Sequence, residues 1–278
     1  MPGWQLAEVS GSDAGAFLQA QLMNDVRALA PLHWQWNGWL NPKGRVIALF
    51  ALIALDADRY WLLVPDMPAV ELIARLQRFV FRSKVKLTAR ADCMAFGTFA
   101  QPHHANGSNM HREASGNKEI VELDFSARGG PRALRIETDI DAPTASVAPE
   151  ADVQRWATFD LAHGLPHLGA DQIESWTPQM LSLERLHAFS LKKGCYPGQE
   201  IVARTHYLGQ AKRGLVRIAG SALAVGNEVS ADGRVLGSIV SSIGDEALAV
   251  LAVDRPTTGL ECAGTPCSEM SLLDGLAR

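Results

Sequence analysis

The stretch Lys193-Gly-Cys-Tyr-Pro-Gly-Gln-Glu-Ile-Val-Ala-Arg-Thr-His-Tyr-Leu-Gly-Gln-Ala-Lys-Arg213 is the densest in chemical information in the chain. Pro197 suits the first position of a helix, and Gln199, Glu200, Ile201, Val202, Ala203 and Arg204 can follow it helically. Cys195 then stands just outside a helix N-terminus, behind Lys192 and Lys193. The helix dipole and both cations favour thiolate over thiol, the setting of a reactive cysteine. The alternative is a small apolar residue in a tight Gly-Cys-Tyr turn. Free N–H groups at a helix start also attract anions. Lys192, Lys193, Arg204, Lys212 and Arg213 face a single acid, Glu200, so Lys193 and Arg204 are candidates to hold a carboxylate or phosphate, with a solvated basic face as the plain alternative.

Downstream of this stretch the texture changes to short apolar segments broken by glycine. Asp232-Gly233 between alternating segments is a strong hairpin turn, and the absence of helical periodicity predicts a small antiparallel β-barrel over residues 211–278. Upstream, Ala14, Phe17, Leu18 and Leu22 mark a short amphipathic helix. Asn41-Pro-Lys-Gly-Arg45 reads as a turn feeding a strand, and Asp66 with Pro68 opens a second helix whose inner face is expected at Val70, Ile73, Leu76, Phe79 and Val80. Residues 101–119 carry almost no large apolar side chain and are expected to be a solvated loop. Val121, Leu123 and Phe125 alternate toward a Gly129-Gly130-Pro131 turn and a return strand at Leu134 and Ile136. Residues 138–149 read as a linker. Val153, Trp156, Ala157 and Leu161 form one helical stripe closed by Gly164.

The chain has 278 residues, about two domains' worth. The expected division is a body over 1–210, with a subdomain break near 138–150, and the barrel over 211–278. Twenty-six Lys and Arg against thirty Asp and Glu give a net charge of -4, so the whole molecule presents no positive field for nucleic acid or anionic membrane, and any such partner must meet a local patch. Four cysteines, at 93, 195, 262 and 267, make neither a disulfide framework nor a CxxC pair, and a reducing cytoplasm is the expected compartment. No signal peptide is expected at the N-terminus. The apolar run Val46–Leu55 is half the length of about twenty residues that a bilayer span needs, which predicts a buried strand and no membrane partner.

Other constellations are weaker. Arg75, Arg78, Arg82, Lys84, Lys86 and Arg90 form a second basic cluster at the end of the second helix, either a solvated helix end or a docking patch for an acidic client or tRNA. His163 and His167 are separated by Gly164 and Pro166, and His103, His104 and His111 in the polar loop could bind a metal only adventitiously, so no metal site is assigned. Trp34, Trp36 and Trp39 are expected in the core more than around a ligand.

KGCYPGQE resembles the K-G-C-Y-x-G-Q-E signature of the YgfZ-type folate-binding proteins. FLQAQLMNDV, NPKGRV at 41–46, RFVFRSKV at 78–85 and GLPHLGADQIESWTPQMLSLERL at 164–186 fall in the order of that family, so the resemblance spans nearly the whole chain. The family is similar to the glycine-cleavage aminomethyltransferase (T-protein). It implies an α+β fold, a tetrahydrofolate-binding body of mixed or antiparallel sheets with helices followed by a small C-terminal antiparallel barrel. It further implies a role in assembling or repairing iron-sulfur clusters in client enzymes, including tRNA-modifying radical enzymes. Carried over, Cys195 and Lys193 are the functional residues, within a motif that includes Gly194, Tyr196, Gly198, Gln199, Glu200 and, downstream, Arg204. Folate is expected in the body's central cavity, with Asn24, Asp25, Asn41, Lys43 and Arg45 as contributors.

One departure separates the possible activities. The transferases carry an Asp in the strand after the glycine turn, whereas Gly44 to Leu55 here holds no acid before Asp56. Acid-base assistance is worth about two to four orders of magnitude, which weighs against ordinary aminomethyl transfer. A one-carbon transferase and a non-enzymatic RNA-binding or scaffold module are the competing readings.

Overall fold

The computed structural model describes residues 3–140, 148–209 and 211–278. The body opens with β1 (Gln5–Ser10), α1 (Ala14–Gln21), β2 (His33–Leu40), β3 (Val46–Ala54), β4 (Arg59–Val64), α2 (Ala69–Gln77) and β5 (Lys86–Arg90). Its five strands form one antiparallel sheet in the order β2-β3-β4-β1-β5. A second antiparallel sheet, ordered β6-β9-β8-β7, is made by β6 (Met94–Thr98), β7 (His111–Ser115), β8 (Lys118–Asp124) and β9 (Ala133–Glu137). Then come α3 (Glu150–Ala162), α4 (Gln199–Tyr207) and a closed barrel of β10 (Arg213–Gly220), β11 (Glu228–Ala231), β12 (Arg234–Ile243), β13 (Glu246–Ala252), β14 (Leu260–Cys262) and β15 (Thr265–Met270). The fold is α+β with a C-terminal barrel.

The apolar run of β3 explains the layering. All nine of its residues are buried. Leu49, Ala51 and Ile53 face one core with Trp34, Trp36, Phe125 and Trp156, while Phe50, Leu52 and Ala54 face a second core with α1 and α2. A strand covered on both faces needs no polar alternation, which is why this segment reads as continuous apolar sequence. β13 divides in the same way: Ala247, Ala249 and Leu251 fill the barrel, and Leu248 and Val250 belong to the body's core. Trp34 and Trp36 are fully buried, and Trp36 Nε1 donates to Leu276 O at 2.8 Å.

Three expectations are corrected. The inner stripe of α2 is Ala69, Leu72 and Leu76, while Val70 is 65% exposed and Phe79 lies beyond the helix end. Leu76 belongs to both stripes, and Ile73 and Val80 pack partly buried against the same core, so the docking of α2 on β1 and β5 turns the face toward Ala69 and Leu72. Asp66 does not cap it: its carboxylate meets His167 Nδ1 at 2.7 Å and accepts the Leu168 N–H at 2.9 Å. Within residues 101–119, His111–Ser115 forms the edge strand β7 against β8. An edge strand with solvent around it carries no apolar alternation to read. The break expected near 138–150 falls mostly outside the described residues.

Between α3 and the second sheet lies a buried ion pair. Arg132 Nη1 donates to Asp160 Oδ1 at 2.7 Å, both side chains being 0% exposed. The guanidinium carbon stands 3.9 Å from the Phe159 ring centre and 4.3 Å from that of Trp156. His167 Nε2 meets the other Asp160 oxygen at 3.3 Å. Burial works against a charge on His167, yet Asp66 and Asp160 overcome it and push its pKa up to about 10.

Candidate functional site

The motif loop is fastened at both ends. On one side Lys193 reaches the C-terminal end of α1: its ammonium donates to Gln19 O at 2.5 Å and to Leu22 O, and Gln19 Nε2 returns a bond to Lys193 O at 3.1 Å. These carbonyls are acceptors that a helix leaves unfilled at its end. Burial dominates the ammonium's environment and lowers its pKa to about 8 against the pull of Asp25. The ammonium also lies 4.8 Å from the ring centre of Tyr196, a buried side chain whose hydroxyl donates to Ser190 O at 3.4 Å.

On the other side Gly198 adopts φ +80° and precedes Gln199, the first residue of α4. Pro197 therefore stands two residues before the first helical residue and not at the first position itself. A Cβ on Gly198 would stand 2.6 Å from Asn41 O and 2.6 Å from Gly44 Cα. The turn it abuts is rigid. Asn41 Oδ1 accepts the Lys43 and Arg45 N–H groups at 2.9 and 3.0 Å, Asn41 Nδ2 donates to Glu174 at 2.8 Å, and Arg45 Nη1 donates to Ser175 O at 2.7 Å. The Asn41–Arg45 turn and the cysteine motif, distant in sequence, are thus back to back.

Between these anchors Gly194 and Cys195 are exposed. Of the four thiols Cys262 is buried, Cys93 and Cys267 are partly covered, and Cys195 alone is exposed. Cys195 precedes the α4 cap by three residues, beyond the first turn over which a helix dipole acts strongly. Lys193 and Arg204 are not free to hold an anion together: Lys193 is bonded to α1, and Arg204 pairs with Glu200 one turn away on α4 at 2.6 Å.

Beside the motif opens a cavity of about 990 Å³. Asn24 and Asp25 line it, while Asn41, Lys43 and Arg45 do not. Asn24 is fixed by donating to Trp36 O at 3.0 Å and His187 O at 2.6 Å. The walls also include Gln179, Glu184, His187, Phe189 and Lys192, for which the sequence carries no cavity signal. Gln179 Nε2 donates to Val202 O at 2.8 Å, but its Oε1 is buried with no partner among the described residues. Glu184 is exposed, and partial desolvation raises its carboxyl above its ordinary value. Ser182 and His187, both at positive φ, bracket the short helical turn that carries Glu184. Residue 184 falls within the 164–186 stretch that carries the resemblance, which is the one sequence signal near it.

The second basic cluster is dispersed. Arg75 pairs with Glu71, and Arg90 with Glu8 and Asp92. No acid is ion-paired with Arg78, Arg82, Lys84 or Lys86 among the described residues, and Phe81 beside them is 86% exposed.

No protein-family model matches the chain. The chain is similar to the tRNA-modifying protein YgfZ of Edwardsiella ictaluri, 29% identical over 231 residues, covering 79% of this chain and 70% of that one. YgfZ of Aliivibrio fischeri is 27% identical over 268 residues, covering 90% and 83%. An uncharacterized protein of Haemophilus influenzae is 30% identical over 213 residues, covering 76% and 69%. Among solved structures, the glycine cleavage system aminomethyltransferase T from Bartonella henselae superimposes with a TM-score of 0.73 at 16% identity, covering 97% of this chain and 83% of that one. Such identity speaks for the fold alone. On sequence similarity over most of its length, carried on an aminomethyltransferase fold, the chain belongs to the family of the tRNA-modifying protein YgfZ.

Proposed function

We propose that this protein binds a reduced folate in the cavity beside the motif and serves, in the cytoplasm, the assembly or repair of iron-sulfur clusters in client enzymes that include tRNA-modifying ones, with Cys195 as the working thiol. The observation that carries the folate reading is the unpartnered Gln179 Oε1 in the wall of a 990 Å³ cavity that also presents Glu184. Gln179 and Glu184 in the lining of a partly apolar cleft suit the N–H-rich edge of a pterin, with Phe189 offering a ring face and Lys192 a cation for the carboxylate tail. Bound tetrahydrofolate supplies a carrier for one-carbon units. Lys193 and Gly198 act as positioning residues: they hold the Cys195 loop in the open, where a macromolecular client can reach the thiol.

True aminomethyl transfer is less favoured. Every residue of β3 is apolar, and the first acid after it, Asp56, accepts the Asp58 N–H at 2.9 Å in the following turn. The test has two independent arms. Calorimetry with tetrahydrofolate is expected to saturate, and Gln179→Leu to weaken binding about tenfold, the worth of one well-made hydrogen bond; no saturation up to millimolar ligand overturns the folate reading. In cells lacking the protein, Cys195→Ala is expected to leave iron-sulfur client activity unrestored. Full restoration removes the thiol from the function.

A further inference from the structure

At the outer edge of the second sheet, His111 and Glu113 are two residues apart on β7 and so project to the same face. Their side chains already meet, with His111 Nε2 3.1 Å from Glu113 Oε1. Arg112 between them turns to Glu119 instead. His104 is delivered to this pair by the preceding loop. Glu122, the cross-strand partner of His111, accepts the backbone N–H groups of His103, His104 and Ala105 at 3.0, 2.8 and 3.0 Å. Gly107 N–H donates to Asp124 at 2.8 Å and Trp34 Nε1 to Gly107 O at 3.1 Å, which fixes the rest of the loop. The His104 and His111 ring centres end 4.4 Å apart.

We propose that His104, His111 and Glu113 form a binding site for one divalent transition-metal ion of the zinc type. One ligating atom from each lies within 4.8 Å of the others. A tetrahedral ion with bonds of about 2.1 Å separates its ligand atoms by about 3.4 Å, so the side chains must converge by little more than 1 Å. Rotation of exposed side chains on an anchored backbone provides that. Two imidazoles and one carboxylate select zinc, nickel, cobalt or copper over calcium and magnesium, which prefer all-oxygen shells. Glu122 is not a ligand, since its oxygens are taken by the loop N–H groups; it sets the geometry in the way outer-shell carboxylates do. His104 and Glu113 are exposed and His111 is half-buried, so water or a group from another molecule completes the shell.

The site is independent of the folate reading and of Cys195. Calorimetric titration of the full chain with zinc chloride is expected to give one equivalent at micromolar affinity. His104→Ala and His111→Ala should each weaken it at least tenfold, Glu113→Gln severalfold, and Cys195→Ser should leave it unchanged. With cobalt(II) as the probe, ligand-field bands should appear without a thiolate charge-transfer band. Binding only at millimolar zinc, unaltered binding in the His104→Ala/His111→Ala double variant, or a charge-transfer band abolished by Cys195→Ser would each overturn the assignment. Circular dichroism of the variants, whose altered side chains lie at the surface, verifies that they remain folded.

Discussion

Adding one methyl group at Gly198 tests whether the motif loop is held as described. Gly198→Ala incurs two costs. A non-glycine residue in left-handed backbone loses about 1–2 kcal/mol, and the new Cβ would sit 2.6 Å from Asn41 O and Gly44 Cα, both backbone atoms. Overpacking against atoms that cannot rotate away costs typically about 1–3 kcal/mol, which makes the expected total about 2–5 kcal/mol. Gly194 supplies the control. It has φ +94°, and a Cβ there meets nothing within 4 Å, so Gly194→Ala should lose only the backbone part, about 1–2 kcal/mol. The difference between the two variants in urea unfolding, read as a shift in midpoint at constant slope, isolates the contact between the two turns. Equal destabilisation of the two variants would refute the close approach of Gly198 to the Asn41–Gly44 turn, and with it the second anchor of the Cys195 loop.

Two further outcomes follow from the buried network of α3. Asp160→Asn leaves the Arg132 guanidinium charged and unpaired where both side chains are 0% exposed, and should cost about 3–5 kcal/mol by urea unfolding; a loss under 1 kcal/mol would contradict the pairing. His167, with its pKa at about 10 against 6.5 when unfolded, binds its proton more tightly in the folded state. Its stabilisation is complete below pH 6.5 and fades as pH rises toward 10, on the order of 2 kcal/mol after allowing for its partial contact with solvent. His167→Gln should flatten that limb of the stability profile, and an unchanged slope would show that His167 is not its source.

Strongly patterned elements were legible in the sequence because their physics is local. The Asp232-Gly233 turn, the unbroken apolar run of β3 and the stripe of α3 around Trp156 each follow from backbone preference or from covering faces. The register of α2 was not, since both candidate stripes are apolar and only the docking against β1 and β5 decides between them. Asp66 carries the composition of a helix cap, but a histidine and an amide a hundred residues away compete for it. The same holds for the site. Cys195 is a candidate by its motif, whereas Gln179, Glu184 and His187 reach the cavity through irregular chain whose course follows no periodicity. Lys193 reads as a catalytic cation by its neighbour in sequence and is a helix-end clamp by its neighbours in space.

The double fastening of the motif loop limits what Cys195 can do over distance. Only residues 194–197 separate the Lys193 clamp from Gly198, and a chain advances at most about 3.6 Å per residue, so the thiol sweeps a radius of a few ångströms around a fixed station. It is not a swinging arm that ferries cargo between remote centres. In the proposed role, donor and acceptor would each have to come to it, one after the other, over the same small area of surface, and traffic at that spot would set an upper limit on how fast clients are served.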